Sequence, residues 1–205
     1  MWRPPSSLRE IARRWLLLYV PVAALILGAS TLAGLLLGNA VPVDSLPTGG
    51  EAGSTPFLPS EITTVSIAVN NLTAVFVMLL GAVSIGIVTV LGLVLNGLLI
   101  GVVVGLAGQE LSTTVILALL VPHGIIEIPA LLIVAAIGLR FGRLTVRYIR
   151  GTESELVTER DLREAGWLVA VACLLIVVAA YIEANVTLAL AERVADGSLS
   201  GLPSA

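Results

Sequence analysis

Long apolar stretches alternate with short polar ones along the whole chain, and the lengths of the apolar stretches set the architecture. The first, Trp15 to Gly38, runs 24 residues without a charge. That exceeds the ~7–15 residues of a signal-peptide core and matches the ~20 that cross a ~30 Å hydrocarbon layer, so it reads as a retained first span. From Ile62 to Gly108 there are 47 residues with no charge at all. As one helix they would measure about 70 Å, so the segment must turn back once. The turn falls in Gly81–Gly86 (GAVSIG), giving spans near 62–81 and 86–108. Gln109, Glu110, Ser112 and Thr113 form a brief polar break. Apolar segments near 113–142 and 166–190 follow, separated by an arginine-rich stretch over 143–165. The pattern predicts an all-α polytopic membrane helix bundle of about five spans, folded as a single integral membrane domain over 1–205.

Composition agrees. Hydrophobic residues make up 57% of the chain and charged residues 12%, against about 25% charged in soluble domains. Mean hydropathy is +1.04. The formal charge of −3 comes with no basic face suited to nucleic acid. The single cysteine, Cys173, excludes an intramolecular disulfide and any multi-cysteine metal site. The bilayer is therefore the one partner that composition implies.

Ten of the eleven arginines lie in two places: Arg3, Arg9, Arg13 and Arg14 in the N-terminal arm, and six between Arg140 and Arg163. With five spans both places fall on one side, which the positive-inside rule makes cytoplasmic. The expectation is a multi-pass protein of the cell (plasma) membrane with a cytoplasmic N-terminus, an outer loop at 39–61, a cytoplasmic linker at 143–165 and an outside C-terminus. Trp15 and Tyr19 suit an interfacial anchor.

Within these spans the polar residues are few and costly. Asn70, Asn71, Asn96, His123, Glu127 and Glu183 all map between the midplane and the outer third, which predicts one intramembrane polar cluster facing the bundle interior. An ionised carboxylate at membrane depth costs at least ~2.5–3.5 kcal/mol, so such groups pair with others or carry function. Polar glue between helices is the plainer alternative. Pro122, Gly124 and Pro129 surround His123 and Glu127, and each proline removes an i→i−4 hydrogen bond. With 30 residues available, the fourth segment is expected to be broken or re-entrant around 121–124, with a simple proline kink as the alternative. Gly97, Gly101 and Gly105 form a smooth stripe for close helix packing. One histidine and one cysteine exclude H-E-x-x-H and other multi-histidine zinc motifs. No catalytic residue, metal site or cofactor is expected from spacing.

The set Asn70-Asn71, Asn96-Gly97 with Gly101, His123-Gly124-Ile125-Ile126-Glu127, Gly138-Leu139-Arg140-Phe141-Gly142 and Ala179-Ala180-Tyr181-Ile182-Glu183-Ala184 resembles the stage II sporulation protein M family (DUF95). The resemblance covers about 62–190. It implies a multi-spanning membrane protein and, for the sporulating members, a scaffold that recruits a peptidoglycan hydrolase pair during engulfment. Two functions follow as expectations. One is a non-enzymatic scaffold or complex component, with other membrane or cell-envelope proteins as partners and oligomers allowed. The other is a transporter or channel-like protein binding a proton, ion or small solute at His123, Glu127 and Glu183. An intramembrane hydrolase is the weakest reading.

Overall fold

The computed structural model describes residues 7–42, 63–187 and 189–194. The arm before Ser7, the part of the loop over 43–62 and the C-terminal tail from 195 lie outside the described residues. Among the described residues, five helices are long and apolar enough to cross a membrane.

A short helix α1 (Leu8–Ile11) passes into a π-helical turn, Ala12–Leu16, and then α2 (Tyr19–Ala40). α3 (Thr64–Leu79) starts from a reciprocal cap in which the Thr63 hydroxyl accepts from the Ser66 amide and the Ser66 hydroxyl accepts from the Thr63 amide. Such caps satisfy orphan amides that lipid would leave unpaired. α3 tightens into a 3₁₀ turn, Leu80–Ala82, and the chain reverses at Ile85 and Gly86, both with positive φ (56° and 85°). α4 (Ile87–Glu110), α5 (Thr113–Ile149) and α6 (Glu159–Ile182) follow, and a second π turn, Glu183–Thr187, extends α6. α5 touches each of α2, α3, α4 and α6. Its run Val134 to Gly138 is buried throughout and forms the centre of the bundle.

α2 and α4 make the closest pair because both present small residues every fourth position. Ser30, Gly34 and Gly38 on α2 meet Gly97, Gly101 and Gly105 on α4. A Cβ on Gly101 would overlap the Thr31 carbonyl oxygen, and one on Gly34 would overlap that of Leu98. In lipid, where apolar burial drives no association, this backbone proximity supplies the packing. The far end of α2 is closed by Gln109, whose amide donates to the carbonyls of Gly38 (2.8 Å) and Val41 (2.9 Å). Gly101→Leu is therefore expected to destabilise by about 1–3 kcal/mol or to abolish folding, since the obstruction is backbone. Loss of monodisperse protein in detergent gel filtration checks this, and Gly28→Leu, where nothing lies within 4 Å of the added Cβ, is the control.

Three expectations are corrected here. The fourth segment is not broken or re-entrant: α5 continues through Pro122 and Pro129 for 37 residues. Each proline removes one backbone hydrogen bond, whereas a break would leave several groups unpaired in hydrocarbon. The two prolines also lie seven residues apart, on one face, so the long flanks hold the helix together. At about 55 Å, α5 outruns the ~30 Å core. The linker at 143–165 shrinks accordingly: α5 runs to Ile149, and α6 begins at Glu159 from a Thr158–Asp161 capping box. Trp15 is no interfacial anchor, being fully buried.

Candidate functional site

Two polar clusters stand out, one towards each end of the bundle. The first grows from α5. His123 and Glu127 are one turn apart and so share a face. Across from them the last turn of α6 widens into the π segment Glu183–Thr187, which brings Glu183 and Thr187 to the same place. Ligating atoms of His123, Glu127 and Glu183 all lie within 4.8 Å of one another, with each residue partly buried. The Thr187 hydroxyl, itself 3% exposed, lies 3.5 Å from His123 Nδ1 and 3.3 Å from the Ile182 carbonyl. Asn185 ties the π turn to α3, its amide donating to the Thr64 hydroxyl at 3.1 Å. π turns are rare and collect at functional sites because they aim side chains that a regular helix would not.

The electrostatics of this triad are unbalanced. Among the described residues no cation pairs with Glu127 or Glu183. Two carboxylate charges within 4.8 Å of each other repel by on the order of 3 kcal/mol or more at an effective dielectric constant of about 20. A proton or a cation between them removes that repulsion. A site lined by an imidazole, two carboxylates and a hydroxyl has the donors to hold either.

The remaining members of the expected polar set do not join the triad in hydrogen bonds. Asn70 is exposed, and its amide lies 3.5 Å from the oxygen of its neighbour Asn71. The Asn96 amide donates to the Gly92 carbonyl of its own helix at 2.8 Å.

The second cluster lies about 20 Å from the first along α5, counted from Glu127 to Arg140. Its carboxylates are Asp161 and Glu164, 5% and 3% exposed. Asp161 accepts from Arg14 and Arg140, each at 2.8 Å. Glu164 accepts from Arg14 at 2.9 and 3.0 Å, from Arg160 at 2.7 Å and from the indole N–H of Trp15 at 2.7 Å. The Arg140 guanidinium lies 4.5 Å over the Trp15 ring, and Phe141 packs edge-on to that ring. Opposite charges here are matched and hydrogen-bonded, the arrangement of a structural clamp. Sequence reasoning missed it, taking Asp161 and Glu164 as part of a solvated linker. A signal existed: both carboxylates share the inward stripe of α6 with Ala165 and Ala172.

A family model described as "Stage II sporulation protein M" matches residues 22–188 of the chain. An uncharacterized protein of Methanocaldococcus jannaschii is 37% identical over 125 residues, which cover 60% of this chain and 69% of that protein. No solved structure matches.

Proposed function

Because the chain belongs to the stage II sporulation protein M family and is a multi-pass membrane protein, we propose a function on its intramembrane site: reversible binding of a proton or cation at His123, Glu127 and Glu183, in a transporter- or channel-like role. One observation carries this reading, the convergence of three ionisable side chains from two helices with no arginine paired to them among the described residues. Depth supports it. From the Asp161/Glu164 clamp to the triad is about 20–28 Å along α5 and α6, which sets the triad in the far half of a ~30 Å core. The positive-inside rule makes the arginine end cytoplasmic, since Arg9, Arg13, Arg14, Arg140, Arg143, Arg147, Arg150, Arg160 and Arg163 collect there. The N-terminus is then inside, the C-terminus outside and the triad nearer the outer face. A non-enzymatic reading is supported by the burial of Thr187, whose hydroxyl is the one recorded against the histidine among the described residues.

A scaffold role is the second reading. The last turns of α5 favour it, because the helix outruns the hydrocarbon and leaves Arg143, Arg147 and Arg150 exposed as a platform for a partner.

Carbodiimide labelling in native membranes separates the two. The reagent enters lipid and modifies carboxyls at ion sites. Labelling is expected at Glu127 or Glu183, suppressed by the bound cation and abolished in Glu127→Gln/Glu183→Gln. An unreactive pair, or labelling that no cation or change of pH alters, sinks the binding role and leaves the scaffold.

A further inference from the structure

We propose that His123, Glu127 and Glu183 form a site for a divalent transition-metal ion of the zinc or manganese class. The inference rests on reading the triad as a cation site, and it adds which cation.

Charge narrows the choice first. A neutral imidazole and two carboxylates carry −2. A divalent ion cancels that charge, while a monovalent ion leaves an uncompensated charge at membrane depth, where it is costly. Donor chemistry narrows it again. Imidazole nitrogen suits zinc, iron, nickel and copper, carboxylate oxygen suits manganese and magnesium, and a mixed set suits a borderline divalent ion that accepts both donors, as zinc does. Calcium needs about 6–8 oxygen ligands, and the described residues around the triad offer two carboxylates and a hydroxyl. Copper(I) prefers sulfur, and Cys173 belongs to the apolar core.

Geometry is compatible with the ion. Metal–ligand bonds of about 2.0–2.2 Å put tetrahedral donors some 3.3–3.6 Å apart, and here they lie within 4.8 Å. Closing from at most 4.8 Å to that spacing asks for a shift of at most about 1–1.5 Å, the scale of a glutamate rotamer change. Three protein ligands leave one tetrahedral position for water or an anion, the open form of site that exchanges its ion or acts on a bound group. The Thr187 hydroxyl, 3.5 Å from His123 Nδ1, is placed to fix the ring, as outer-shell partners of metal-bound histidines do. Sequence motifs do not reveal the site, because the third ligand comes fifty-six residues after Glu127 and is aimed by the π turn.

The test uses the full chain, purified in detergent and stripped with chelator. Cobalt(II) is titrated in and followed by its visible absorption, then displaced with zinc and, separately, manganese. The expected result is one cobalt per chain with intense tetrahedral-type bands, lost on zinc addition, and affinity at least tenfold weaker in His123→Gln and in Glu183→Gln. Asn70→Ala, an exposed change outside the triad, is expected to retain the bands, and the wild-type titration keeps the inference testable if either ligand variant misfolds. No saturable binding of cobalt, zinc or manganese overturns the inference, as does binding that His123→Gln/Glu183→Gln retains in full. Carbodiimide labelling that sodium or pH controls while these metals fail to bind overturns the metal and leaves the proton or monovalent-cation reading standing. Failure of both experiments removes both.

Discussion

Glu164→Ala is expected to lower the unfolding midpoint of the detergent-solubilised protein by on the order of 10 °C, equivalent to about 3 kcal/mol for a chain of this size. Glu164 is 3% exposed and accepts from three side chains on two segments, Arg14, Trp15 and Arg160. Removing it leaves the indole N–H without its acceptor and deprives two guanidinium groups of a shared counter-charge. Breaking a buried pair from one side costs ~3–5 kcal/mol, and the low end applies because the arginines reach solvent and recover some hydration. Glu164→Gln keeps an acceptor for Trp15 and loses only charge, so its midpoint should fall between alanine and wild type. Adding Arg14→Ala to Glu164→Ala should cost less than the sum of the two, since both break the same contact. Unchanged midpoints in all three variants would mean that water, not Glu164, satisfies these groups.

The clamp and the triad differ in how far the sequence exposes them. Five spans follow from apolar run lengths because lipid is a solvent that composition reports directly. The reversal near Gly86 follows from the same arithmetic, since 47 uncharged residues exceed one crossing. Which face of a span meets another span is harder to read. Lipid-facing and protein-facing positions are both apolar, so the amphipathic stripe of soluble helices is lost, and Gly97, Gly101 and Gly105 are informative only because small residues mark closeness. The continuity of α5 escaped local reasoning: proline rules describe one hydrogen bond at a time, whereas the hydrocarbon penalises the whole unwound turn. Glu127 showed itself as costly, but its relation to Glu183 depends on the pairing of α5 with α6 and on a π turn that no local pattern announces. Trp15 was hidden for a similar reason. Its burial depends on carboxylates about 150 residues later, which only the packed α6 brings near.

Glu183→Gln should move stability and binding in opposite directions. With neither a proton nor a cation bound, Glu127 and Glu183 face each other with no arginine paired to either among the described residues, and replacing one carboxylate with an amide of the same shape removes the repulsion. Water and partial exposure screen that term, so a gain of about 1–2 kcal/mol is expected, seen as a midpoint roughly 2–8 °C higher than wild type in chelator. The variant should meanwhile lose cation protection against carbodiimide at Glu127. Adding zinc should then raise the wild-type midpoint, by about 2.7 kcal/mol equivalent at a hundredfold excess over the dissociation constant, and leave Glu183→Gln unmoved. A site that trades stability for a ligand behaves this way, because its charges are arranged for an ion and not for each other. Polar glue predicts the reverse: Glu183→Gln would weaken a satisfied contact, and the midpoint in chelator would fall. The same substitution thus opposes Glu164→Ala in sign if the far cluster is a binding site, and matches it if that cluster is a second clamp.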